Sequence, residues 1–67
     1  MQKRSIRING HATSVSLEPE FWEELERISA AKNMPLSQLI AEVDASRAGN
    51  LSSALRVYVL LHLKEPH

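Results

Sequence analysis

Between His11 and Leu17 the chain reads HATSVSL, and the residues EPEFWEEL follow as a helix start with no linker. The first stretch alternates. Thr13, Val15 and Leu17 fall on one side of a strand and Ala12, Ser14 and Ser16 on the other. A single strand has two unpaired edges, and an isolated pair of strands is barely stable in water. Its apolar side, Val15 and Leu17, also needs a cover larger than the helix that follows. Whatever this chain folds into must supply the strand with a partner and its inner face with a roof.

Upstream, Ile6 and Ile8 are apolar in the opposite phase, and the phase slips at Asn9-Gly10. That dipeptide is a strong hairpin signal, but one extra residue at a glycine bulge resets the alternation equally well. Both readings stand at this level. Residues 1–10 are taken here as a basic arm, and residues 11–17 as the one clear strand.

The remainder reads as three helices. Pro19 suits a first helical position, whose amide has no intrahelical partner, and Glu20, Glu23 and Glu24 suit the positive helix end. Phe21, Trp22, Leu25 and Ile28 form an apolar stripe, and Glu23 with Arg27 is expected to make an i,i+4 ion pair. Asn33 offers a left-handed stop, and Pro35 opens a second helix over residues 35–47 with Leu36, Leu39, Ile40 and Val43 on one face. Ala48-Gly49 ends it. Asn50 caps a third helix through residues 50–63, in which Leu51, Ala54, Leu55, Tyr58 and Val59 share a face. Val57, Leu60 and Leu61 lie off that face, so this helix is expected to be largely buried. A strand through RVYVLL is the competing reading, because β-branched residues cluster there.

Size decides how such a chain is stabilised. A 67-residue domain buries only ~60% of the surface its unfolded chain exposes, so disulfides, a metal or association usually help. There is no cysteine, and His11, His62 and His67 lie too far apart to suggest a chelating set, so no metal and no cofactor is expected. Association remains. Pairing the strand with its copy in a second chain would close one edge of each and share a core. Val15, Leu17, Phe21, Trp22, Leu25, Leu39 and Ile40 are the expected core of that dimer.

Composition narrows the function. With 43% hydrophobic residues the chain is globular, and its formal net charge of zero argues against coating nucleic acid by bulk charge. The distribution is uneven: residues 1–11 carry Lys3, Arg4 and Arg7 without an acid, while the first helix is acidic. The basic start is followed by no apolar signal core, and VYVLL falls far short of the ~20 residues of a membrane span. A cytoplasmic protein that avoids membranes is expected. The glutamates have no partner nucleophile, metal-ligand set or glycine-rich phosphate loop, so no enzyme is expected.

The segment SVSLEPEFWEELERISAAKNMPLSQLIAEV resembles the Arc/MetJ-like ribbon-helix-helix superfamily of dimeric bacterial repressors, over roughly residues 11–47. The extension NLSSALRVYVLL is similar to the last part of a compact three-helix branch. The resemblance implies a mostly α fold with one N-terminal β-strand and a C-terminal third helix. It also implies an intertwined homodimer whose two strands form an antiparallel ribbon. Such a ribbon inserts into the DNA major groove, which at ~12 Å admits two strands. Carried over by position, Ala12, Ser14 and Ser16 would face bases. Leu36 and Ser37, at the amino end of the second helix, would meet phosphate, as helix amino ends do. Lys3, Arg4, Arg7 and His11 would add phosphate contacts or reach a groove.

This chain departs from the family's usual ribbon, which carries a long polar or basic side chain at an outward position. Alanine can touch only a thymine methyl and serine discriminates little, so selectivity would rest on Arg4, Arg7, His11 or DNA shape. Pro35 also removes one phosphate-binding N–H. The expected function is a homodimeric DNA-binding protein, a transcriptional repressor or autoregulator. The competing reading is an antitoxin-like or assembly-forming interaction module on the same fold with little DNA affinity, its third helix open to a partner protein.

Overall fold

Asn9 and Gly10 both have positive φ, 51° and 84°. That is the backbone of a two-residue turn whose twist matches the strands it joins, and it makes the dipeptide a hairpin rather than a bulge. The computed structural model describes residues 1–46 and 49–64. Strand β1 (Gln2–Ile8) runs back along β2 (His11–Leu17) as a two-stranded antiparallel sheet, with Ile8 opposite His11 and Gln2 opposite Leu17. Residues opposite one another share a face, so the phase slip vanishes. Ile6, Ile8, Val15 and Leu17 all turn to the core.

The segment read as a basic arm is therefore the second strand of the ribbon. The cover expected from another chain is met inside this one. Val15 is 2% and Leu17 0% exposed, because β1 closes one edge and the helices roof the inner face. Trp22, Leu25, Leu39 and Ile40, expected in a dimer core, lie fully buried in the single chain's own core, with Phe21 packed at its margin.

Three helices follow among the described residues: α1 (Pro19–Ala31), α2 (Leu36–Ser46) and α3 (Leu51–Lys64). Helix α1 starts as expected, with extended Glu18 at the cap and proline in the first turn. It ends in a left-handed residue, Asn33 at φ 54°. There the Asn33 N–H donates to the Ala30 carbonyl at 3.1 Å and the Met34 N–H to the Ser29 carbonyl at 3.0 Å, which satisfies two orphan acceptors. Pro35, expected as the first helical residue, instead precedes the helix. It caps α2, its carbonyl accepting from the Gln38 N–H at 3.0 Å. Asn50 caps α3, its Oδ1 accepting from the Ser53 N–H at 3.1 Å. The expected end of the second helix at Arg47 and Ala48, and the last histidine, His67, lie outside the described residues.

Two expectations are corrected. Arg27 pairs with Glu24 at 2.7 Å rather than with Glu23. Positions three and four apart are both neighbours on a helix, and Glu24 accepts from both Nε and Nη2 of the guanidinium. The third helix is not largely buried. Leu55 and Val59 are, but Val57, Leu60, Leu61 and Leu63 are each more than half exposed, because no other described element packs over them. No described helix is long and apolar enough to cross a membrane.

The core joins all five elements. β1 packs on α2, β2 on α3, and each helix touches the other two. Trp22 lies at the centre with no exposed surface, and its indole N–H donates to the Gln2 carbonyl at 2.9 Å. A buried indole needs such a partner, and this one ties the start of the hairpin to α1. Ser29, the buried polar residue among those described, is satisfied by donating its hydroxyl to the Glu26 carbonyl at 3.0 Å.

Candidate nucleic-acid interface

The hairpin register sorts the side chains of the ribbon onto two faces. Lys3 is opposite Ser16, Ser5 opposite Ser14 and Arg7 opposite Ala12, and these six point away from the core. Lys3, Ser5, Arg7, Ala12 and Ser14 are exposed and Ser16 is half-buried, so the face is open to solvent along its length. The face carries two cations, three hydroxyls and one methyl, and no acid. With ~3.3 Å of rise per residue, Lys3 and Arg7 stand about 13 Å apart along one strand. Arg7 leans toward the turn, its Nη1 lying 3.4 Å from the Gly10 carbonyl, a long contact at an exposed site that leaves the guanidinium accessible.

Ser5 was not among the expected contacts. Its place follows from reading Asn9-Gly10 as a two-residue loop, since that choice alone puts position 5 across from position 14.

Two expected contacts lie elsewhere. Arg4 is opposite Val15 on the core side. Its guanidinium sits over the Trp22 ring, 4.6 Å from the centroid, and Nη1 pairs with Glu26 at 3.1 Å. It is held within the chain. His11 is opposite Ile8, also on the core-side face, but at the hairpin end where it stays exposed. Leu36 is half-buried and Ser37 exposed at the start of α2. Their amide N–H groups, like those of any first helical turn, have no intrahelical partner, and the turn carries no acid. Lys3 belongs to the ribbon face rather than to that helix end.

A second electrostatic feature fixes the junction behind the ribbon. Glu18, between β2 and α1, accepts from Arg56 of α3, with Nε to Oε1 at 3.0 Å and Nη2 to Oε2 at 3.3 Å. Its carboxyl is held below its ordinary value of 4.5 chiefly by a backbone hydrogen bond from its own N–H; desolvation opposes this and the Arg56 guanidinium adds to it. The fork of a guanidinium on a carboxylate fixes orientation as well as charge, so the end of the ribbon is tied to α3.

Comparison with known proteins agrees with this architecture. The family described as the ribbon-helix-helix domain matches residues 1–63. Among solved structures, an uncharacterized protein from Bordetella pertussis Tohama I is similar, at 41% sequence identity and a TM-score of 0.78. The match covers 92% of this chain and 54% of that one, so the chain spans about half the length of that relative. No curated protein matches. The match over nearly the whole chain, on a hairpin ribbon leading into paired helices, makes this protein a member of the ribbon-helix-helix domain family, whose fold is that of DNA-binding regulators.

Proposed function

We propose that the chain is a homodimeric transcriptional repressor or autoregulator that lays the outer face of its hairpin into the DNA major groove. The observation that carries this reading is the acid-free outer face of Lys3, Ser5, Arg7, Ala12, Ser14 and Ser16. Two strands fit the ~12 Å groove, and small side chains let the backbone come close to the base edges. Lys3 and Arg7 reach phosphate or guanine edges from the ends of the face. The serines exchange hydrogen bonds with whichever edge they meet, and Ala12 touches a thymine methyl. Base discrimination from such a face is modest, so DNA shape contributes to site choice. Leu36 and Ser37 offer backbone N–H groups to a phosphate, and His11 stands at the hairpin end as an additional contact.

The competing function, an interaction module with little DNA affinity, is favoured by the exposed apolar residues of α3 and by the net charge of zero. A selection from a random duplex pool separates the two. Enrichment of bound fragments, with affinity that falls steeply as salt rises, supports DNA regulation. No retained duplex at micromolar protein and low salt overturns it.

A further inference from the structure

The ribbon is closed within one chain, so its two strands differ in sequence and its outer face has no internal symmetry. Lys3, Ser5 and Arg7 come from β1, and β2 contributes Ala12, Ser14 and Ser16. Both cations of the face therefore lie on one strand. The arginines nearby do not restore the balance. Arg4 lies on the core side, paired with Glu26 at 3.1 Å, and Arg56 is joined to Glu18 at 3.0 Å. His11, at the hairpin end, also belongs to the core-side face. A ribbon built from two copies of one strand would instead carry every cation twice, once on each side of a two-fold axis.

We infer that each hairpin holds phosphates of one DNA strand only, through Lys3 and Arg7, and so lies in the groove in a single direction. The inference rests on the proposed function and adds to it the orientation of the complex. Strands ~4.8 Å apart put the side chains of β1 off the midline of a ~12 Å groove, toward one of its walls. Lysine and arginine are long enough to reach that wall. Alanine and serine are too short to reach the other, and they carry no charge to offer it. Lys3 and Arg7 stand about 13 Å apart, a span of some four base-pair steps at ~3.4 Å each, so they hold two separate phosphates. Two anchors on one backbone fix which way the ribbon runs, and Ala12, Ser14 and Ser16 are left over the base edges. The element bound by one hairpin is accordingly directional rather than palindromic, and a pair of chains binds two such elements.

Duplexes with a neutral backbone on one strand test it. The probe is the duplex most enriched from a random pool by the full chain. Uncharged methylphosphonate linkages replace the phosphates of one bound element, in one DNA strand or in the other. Wild type is compared with the Lys3→Ala, Arg7→Ala double variant, which keeps its fold because both side chains are exposed. On the unmodified duplex the variant's slope of log affinity against log salt is smaller by about 1.8, two contacts at ~0.9 each. Neutralising one strand abolishes that difference, and neutralising the other leaves it whole. A difference halved by either modification overturns the inference, since the two cations then straddle the groove. A difference that survives both overturns it and assigns the cations to base edges; equal slopes on the unmodified duplex overturn it as well. These three outcomes leave DNA binding itself standing. A pool from which nothing is enriched overturns the repressor reading, and the inference with it.

Discussion

Arg4 and Arg7 look equivalent in the sequence, yet the hairpin places them on opposite faces, and replacing each by alanine should separate stability from DNA binding. Arg4→Ala removes an ion pair to Glu26 at 3.1 Å between side chains that are 33% and 54% exposed. An exposed pair of this kind contributes about 0.2–1 kcal/mol. It also removes a guanidinium 4.6 Å from the Trp22 centroid, worth about 0.5–1 kcal/mol. The sum is about 1–2 kcal/mol, and in a domain of this size each kcal/mol lowers Tm by about 4–8 °C. Arg7→Ala loses only the 3.4 Å contact to the Gly10 carbonyl, so its stability should stay within about 0.5 kcal/mol of wild type. On DNA the order reverses. Losing one phosphate contact reduces the slope of log affinity against log salt by about 0.9, and only Arg7→Ala should show that. Thermal melts followed by circular dichroism, together with fluorescence anisotropy on a short duplex over a salt series, measure both quantities. An Arg4→Ala variant with unchanged Tm and a flattened salt slope would refute the assignment of faces.

Other expected outcomes follow from the same geometry. Leu17→Ala, at a fully buried site, should cost about 2–5 kcal/mol in urea unfolding. That loss should be the same at low and high protein concentration; a loss that appears only in associated protein would return the burial to a second chain. Gly10→Ala should cost about 1–2 kcal/mol from backbone alone, since φ is 84° and an added Cβ meets nothing within 4 Å; a neutral substitution would contradict the left-handed turn. Glu18 has a lowered pKa in the folded chain, so its contribution is fully present above its ordinary value of 4.5 and is lost as pH falls through the folded value. The Tm difference between wild type and Glu18→Gln should therefore shrink as melts are taken below pH 4.5, and a difference that grows there would reverse the sign.

Much of the architecture is local and therefore readable. The stops and starts at Pro19, Asn33 and Asn50 act through the backbone groups of adjacent turns, and the structure shows each of them. The inward phase of Val15 and Leu17 and the apolar stripe of Trp22, Leu25 and Ile28 depend only on the periods of strand and helix. The site was harder to read. A hairpin turn and a glycine bulge leave the same slip in the pattern, so nothing local to Ser5 shows that it lies beside Ser14. The partners of Arg4 are Trp22 and Glu26, in another element of the chain, too far along it for any periodicity to reveal.

By itself the sequence determined β2 with its inward face, the starts of α1 and α3, the left-handed stop at Asn33, the core-facing stripes and the family resemblance, because each is set by interactions within a few residues. Only the tertiary structure decided that one chain completes its own ribbon and core, that Arg4 turns inward while Lys3, Ser5 and Arg7 turn out, and that α3 keeps an apolar face uncovered. Apolar character is a property of a residue. Whether that residue is covered depends on what the fold places over it, and among the described residues no element lies over the outer side of α3.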